Sequence, residues 1–260
     1  MTLDGALTRR LRELARGPAP VLVASDLDGT LAPIVQRPED ARVPPAALTA
    51  LERLATVAHV AIVTGRDLAT ARTLAPVPGV EFVASHGHEA SFAASALPAA
   101  GAALSEGLEG LVRDIEARFT GTALRVERKA RSVAFHYRAD PSLAAPLREA
   151  LRELPEELRL QPGRLVLEVL PGGGGKDTAL AALLERFRPG SLLVLGDDLT
   201  DVAMFEAARV WGGRVLVLAV AGGSETPPEV VGAADAVVDQ EQVGEVLALL
   251  VDALAGPPPA

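Results

Sequence analysis

Short apolar runs recur along the chain, and each ends on a polar or glycine-bearing tip. Residues 21–24, 59–63, 80–84, 192–196 and 214–220 leave no room for a continuous polar face. That pattern suits strands of a parallel sheet covered on both sides. Between them the apolar period lengthens toward 3.6. Pro44 and Pro45 open a segment with Leu48, Leu51 and Leu54 on one side, and residues 178–187 and 240–254 repeat that spacing. Strands alternating with amphipathic helices predict an α/β fold.

The alternation breaks near residue 90. A weakly amphipathic, alanine-rich helix is expected around 101–119, then two alternating strands at 123–129 and 132–138 around a basic turn. A second helix at 141–154 and a strand at 164–170 follow. Helix, hairpin, helix and strand make a self-contained α+β unit, here expected as a cap domain of residues 90–169 inserted into a core of residues 1–89 and 170–260. Four consecutive glycines, 172–175, impose little backbone preference and mark a candidate hinge on which the cap would close.

Composition narrows the partners. The 260 residues carry a formal net charge of -9, which opposes a nucleic-acid binder because phosphates need a basic stripe. Absence of cysteine excludes disulfides, thiolate metal sites and a cysteine nucleophile. No apolar run approaches the roughly 20 residues of a membrane helix. Residues 1–17 alternate charge with leucine and lack an apolar segment before a cleavage site, so a cytoplasmic protein is expected. No membrane and no obligate protein partner are expected, and a small anionic ligand needs local cations or a metal.

Candidate chemistry gathers at the strand ends. Asp26 and Asp28 are two apart at the end of the first run, and Gly29 lets the chain turn away. Thr64, Gly65 and Arg66 precede a helix start at Asp67 and form a candidate anion seat, with a hydroxyl, backbone N–H groups and a guanidinium. His86 lies in the turn SHGHE, residues 85–89. Asp197, Asp198 and Asp201 crowd the end of the run at 192–196, where a hard divalent cation would relieve their repulsion. Each motif alone also has a structural counterpart: a turn pair, a capped helix, a solvated loop. Residues 171–178, PGGGGKDT, depart from a phosphate-binding P-loop in spacing and in the Asp after Lys176, so an NTPase is rejected.

Ligands of open α/β sheets lie off the carboxyl ends of the strands. There, carboxylates would hold Mg²⁺, the cation and Lys176 would neutralise a phosphate, and Thr64 would hydrogen-bond it. One aspartate would be left to attack phosphorus. DLDGT, the strand-end Thr64, Lys176 and GDDLTD, in that order, resemble the four motifs of the haloacid dehalogenase superfamily of phosphatases. The resemblance spans nearly the whole chain and implies a Rossmann-like core with an inserted cap. More narrowly, VERKARSVAFHYR, SHGHE, LEVLP and GDDLTD are similar to the trehalose-6-phosphate phosphatase family.

The resemblance implies that Asp26 is the nucleophile and Asp28 the general acid and then base. Mg²⁺ would be held by the Asp26 carboxylate, the Asp28 backbone carbonyl and Asp197, with Asp198 or Asp201 in support. Glu127, Lys129 and Glu168 would recognise the sugar, and Arg138, Arg66 and His86 complete the substrate-binding candidates. Leu170, Val202, Asp177 and Ala84 depart from the family pattern at positions outside the phosphoryl machinery. The expected activity is Mg²⁺-dependent release of phosphate from trehalose 6-phosphate. Alternatives are a sucrose phosphate or a mannosyl- or glucosylglycerate phosphate as substrate, a phosphomutase, or a non-catalytic sugar-phosphate sensor.

Overall fold

The computed structural model describes residues 3–35, 37–93, 106–129, 132–155, 157–163, 165–222 and 226–256, residues 106 and 107 by backbone alone. The chain divides into two compact units, Met1–Pro98 with Gly175–Ala260, and Ala99–Gly174.

The first unit begins with α1 (Gly5–Ala15), β1 (Val21–Ser25), α2 (Pro45–Leu54), β2 (His59–Val63), α3 (Leu68–Leu74), β3 (Val80–Ala84) and β4 (Glu89–Ala90). The second holds α4 (Glu106–Arg118), β5 (Arg125–Arg128), β6 (Val133–His136), α5 (Ala144–Ala150), β7 (Leu158–Gly163) and β8 (Val166–Pro171). The first then resumes with α6 (Lys176–Phe187), β9 (Ser191–Gly196), α7 (Leu199–Trp211), β10 (Arg214–Ala221), α8 (Pro228–Ala233), β11 (Ala236–Asp239) and α9 (Val243–Ala255).

In the first unit seven strands pair in the order β11-β10-β9-β1-β2-β3-β4, all parallel except β4. The apolar runs are continuous because successive side chains enter different cores. Val21, Val23, Val60, Ile62, Leu193 and Leu195 pack with α1, α2 and α9 on one face. Leu22, Ala24, Ala61, Val63, Leu192 and Val194 pack with α6, α7 and α8 on the other. The result is an α/β fold of three layers, as the alternation of strands and helices predicts.

Central β1 is opposite β2 and β9, with Ser25 level with Ile62 and Leu195. Strand ends are thereby aligned, and the residues just past them face a common edge. Among the described residues, no helix is long and apolar enough to cross a membrane.

The second unit is a four-stranded antiparallel sheet, β5-β6-β8-β7, with α4 and α5 over its apolar face. Strand β7 has no counterpart in the sequence reading, because Pro162 and Gln161 break its apolar pattern. It lies at the edge of the sheet, where a proline is tolerated. The helix expected at 141–154 starts as a 3₁₀ turn at Pro141–Leu143, and its α-helical part ends at Ala150. Residues 101–105 of the expected helix at 101–119, and Arg164, lie outside the described residues.

Candidate active site

Asp26 continues β1 past its last paired residue, and its amide donates to Leu195 O at 3.0 Å. Asp26 is 6% exposed, and its carboxylate meets the ammonium of Lys176, Nζ to Oδ1 at 2.9 Å. Lys176 is the first residue of α6, and its Nζ also donates to Asp201 Oδ1 at 2.6 Å. Burial opposes the lysine charge, but the carboxylates of Asp201 and Asp26 outweigh it and raise its pKa. Lys176 is therefore a fixed ammonium rather than a proton donor.

Gly29 turns the chain away from Asp26 with φ +87°, a conformation L side chains rarely adopt. It is needed for a second reason. A Cβ there would penetrate the carboxylate of Asp197, which lies directly against the glycine. Thr30, buried beside it, donates its hydroxyl to Asp197 Oδ1 at 2.9 Å.

Asp197 follows β9, so sheet register brings it beside Asp26 from far along the sequence. Burial raises its pKa to about 7, aided by the nearby charge of Asp201 and opposed by Lys176 and the Thr30 hydroxyl. Burial likewise pushes the carboxyl of Asp26 well above the usual range, against the pull of Lys176.

The acidic cluster at the end of β9 is not a set of equivalent ligands. Asp198 caps α7, its Oδ1 accepting from the Leu199 amide at 2.7 Å. Asp201 is fully buried; its Oδ2 accepts from the amides of Asp197 and Asp198 at 3.1 and 3.0 Å, and Oδ1 from Lys176. Ligand oxygens of Asp26, Asp197 and Asp201 lie within 4.8 Å of one another. Three carboxylates share one ammonium in this confined space. An all-oxygen donor set with excess negative charge, and a buried carboxylate whose pKa is driven up, fit a hard divalent cation.

Asp28 points elsewhere. Its two oxygens accept from Arg66 Nε and Nη2, each at 2.7 Å. Arg66 Nη2 also donates to Pro38 O at 2.9 Å. Thr64 is buried at the end of β2; its amide donates to Val83 O and its hydroxyl accepts from the Arg66 amide at 3.2 Å. His86 is held with φ +54°, its amide donating to Thr64 O, and its imidazole covers Gly65 so closely that a side chain there would displace the ring. Asp26, Asp28, Thr64, Arg66, His86, Lys176, Asp197, Asp198 and Asp201 thus belong to the first unit and follow its strand ends or open its helices.

The remaining candidates belong to the second unit. In register, Glu127 and Glu168 flank Ala134 from opposite sides, so both project from one face of the sheet. Lys129 Nζ donates to both oxygens of Glu168 at 2.9 and 3.0 Å, and the Ser132 hydroxyl bonds the same buried carboxylate. Glu127 pairs with His136 Nε2 at 2.6 Å. Arg138 is exposed in the turn after β6. Sequence reasoning did not single out Thr30, Ser132, His136 or Gln161, which is level with Glu168 on β7. Strand alternation carries a signal for His136, which shares the parity of Ala134 on β6. Gln161 had none, because β7 itself was not anticipated.

Residues 24–226 match the model of the trehalose-phosphatase family. A trehalose-phosphate phosphatase of Mycobacterium avium is 36% identical over 211 residues, covering 73% of this chain and 51% of that protein. A Mycobacterium tuberculosis protein described as an uncharacterised glycosyl hydrolase is 37% identical over 226 residues, covering 80% of this chain and 17% of that one. The chain therefore spans about half the length, or less, of these curated relatives. Among solved structures, the C-terminal domain of Candida albicans trehalose-6-phosphate phosphatase superimposes with a TM-score of 0.74 at 25% identity. It covers 94% of this chain and 96% of that one. Aspergillus fumigatus trehalose-6-phosphate phosphatase gives 0.68 at 26%, covering 96% and 98%. With strand-end carboxylates gathered around one lysine and a family match over most of its length, this chain belongs to the trehalose-phosphatase family.

Proposed function

We propose that the protein hydrolyses trehalose 6-phosphate to trehalose and phosphate, with Asp26 as nucleophile. The observation that carries this reading is the Asp26 carboxylate held 2.9 Å from the Lys176 ammonium, with Asp197 beside it and Asp28 two residues on. Asp26, Asp197 and the backbone carbonyl of Asp28 would hold Mg²⁺. Bound there, the ion would neutralise a phosphate dianion and so let a carboxylate approach it. Asp201 acts from behind by orienting Lys176 and the 197–198 backbone.

Chemistry proceeds in two displacements. An Asp26 oxygen bonds phosphorus as the ester P–O bond breaks, and Asp28 gives its proton to the departing sugar oxygen. Asp28, now a carboxylate, takes a proton from water whose oxygen attacks the aspartyl phosphate. The bond between phosphorus and Asp26 then breaks and phosphate leaves. Lys176 and the Thr64 hydroxyl hold the phosphoryl oxygens throughout, and Lys176 keeps its proton.

Residues 90–169 act as the cap in this reading. Glu127, Lys129 and Glu168 suit a polyol because carboxylates and an ammonium can bridge neighbouring hydroxyls, and Arg138 lies on the same unit. Phosphate release over a panel of trehalose, sucrose, and mannosyl- and glucosylglycerate phosphates tests the substrate. Preference for trehalose 6-phosphate, with release abolished by Asp26→Asn and by chelation, is expected. Preference for another sugar phosphate moves the substrate assignment, and undiminished turnover by Asp26→Asn refutes the nucleophile.

A further inference from the structure

We infer that Arg66 is the positioning residue for Asp28, anchoring the acid's carboxylate to the segment that holds Pro38, rather than a seat for the substrate's phosphate. The inference rests on the proposed phosphatase reading and adds a role to it.

Asp28 and Arg66 meet fork to fork: both carboxylate oxygens accept, from Nε and Nη2, at 2.7 Å each. This two-point geometry fixes the plane of the carboxylate as well as its distance, which a single bond or a point charge does not do. The second Nη2 proton goes to Pro38 O at 2.9 Å. Arg66 is itself pinned at both backbone groups, its amide donating to the Thr64 hydroxyl and its carbonyl accepting from the Ser85 amide at 2.7 Å. The guanidinium is therefore a rigid post joining the ends of β2 and β3 to Asp28 and to the segment after β1.

Without the post Asp28 gains freedom. Its side chain is 33% exposed, against 16% for Arg66, so solvent gives it no packed alternative location. A general acid must lie within hydrogen-bond reach of the oxygen it protonates, and small misplacements are costly. A guanidinium whose forked edge is taken by a carboxylate also offers little net charge to an incoming dianion. Arg66 therefore acts through Asp28.

Leaving-group dependence separates this role from phosphate binding. An alkoxide leaving from a sugar phosphate needs the proton of Asp28; the nitrophenolate of p-nitrophenyl phosphate leaves without one. Arg66→Gln should lower kcat for trehalose 6-phosphate by about 10- to 100-fold with little change in KM, in the range a general acid contributes. The first turnover of p-nitrophenyl phosphate, read as the burst of nitrophenolate, should fall far less than the first turnover of the sugar phosphate. Later turnovers should slow on both substrates, because Asp28 is also the base of the second displacement. In the Asp28→Asn background the same substitution should cost the sugar phosphate nothing further, because the group it serves is gone.

Arg66→Lys keeps the cation and supports folding where the glutamine variant fails, but it cannot fork, so it should show the same split. Equal losses of the first-turnover rate on the two substrates, a rise in KM alone, full rescue by lysine, additive losses with Asp28→Asn, or faster sugar-phosphate turnover would each overturn the assignment. Wild-type protein that releases phosphate from neither substrate would sink the phosphatase reading and this one with it. Wild-type activity with equal first-turnover losses in the variants sinks only the role of Arg66.

Discussion

Replacing Lys176 by methionine keeps the apolar stem of the side chain and removes its charge from a place where three carboxylates converge. Nζ is 2.9 Å from Asp26 and 2.6 Å from Asp201, and lysine and both aspartates are at most 6% exposed. At an effective dielectric near 20, each contact is worth about 6 kcal/mol before desolvation. Desolvation offsets much of that in the intact cluster, but removing one partner of a buried pair leaves charge uncompensated and typically costs about 3–5 kcal/mol. That is a large share of the roughly 5–15 kcal/mol that holds a domain folded. The sign with pH follows from proton binding. In the variant the buried carboxylates titrate above their unfolded range, so from about pH 4 upward the native state binds more protons than the unfolded one, and stability falls as pH rises. Urea unfolding in chelator should therefore show a small gap between Lys176→Met and wild type at pH 5 and a gap of several kcal/mol at pH 8. Phosphate release by the folded variant should be lost. A gap that does not change with pH, or a variant within about 1 kcal/mol of wild type at pH 8, would refute the electrostatic role given to Lys176.

Metal-free protein should lose stability as pH rises from about 5 to 8, because Asp197 titrates near 7 when folded and near 4 when unfolded, so that the folded state holds the extra proton between those values. Mg²⁺ competes with that proton, and its effect on Tm should be larger at pH 8 than at pH 6; equal effects would count against Asp197 as a ligand. Gly29→Ala should cost about 1–3 kcal/mol from the +87° φ and displace the Asp197 carboxylate. Calorimetric titration should then show weakened Mg²⁺ binding, and unchanged binding would place the ion elsewhere. Glu168→Gln removes the charge that Lys129 and Ser132 converge on and should raise KM for trehalose 6-phosphate, and an unaltered KM would remove Glu168 from sugar recognition.

The core was legible because burial on both faces writes itself as continuous apolar runs. Residues 21–24, 60–63 and 192–195 feed two cores by alternation, so neither face can be polar. Edge strands escape that rule. Strand β7 contains Pro162 and Gln161, and β11 is a short pairing at the far edge of the sheet, so neither stands out from loop sequence. Thr64, Asp197 and Lys176 were findable as strand-end and helix-start residues, since parallel register fixes where such positions go. The partner of Arg66 was not. Its hydroxyl-glycine-arginine context reads as an anion seat, and nothing in spacing tells that the anion is a carboxylate 38 residues earlier.

The same limit governs the acidic cluster, and its resolution shows what the fold adds to composition. GDDLTD supplies three carboxylates in five residues, and mutual repulsion alone suggests three cation ligands. Backbone geometry divides them instead. The start of α7 presents unpaired amides that Asp198 and Asp201 satisfy, which turns one carboxylate to the helix and buries another beneath it. Asp201 then has a single oxygen left, and Lys176 takes it. Of the three, Asp197, held by Thr30 and pressed against Gly29, keeps a half-buried carboxylate close to Asp26 with no ammonium of its own. One buried aspartate thus fixes the loop that aims Asp197 and the lysine that steadies Asp26. An uncharged replacement at Asp201 should therefore disturb both sides of the proposed reaction centre.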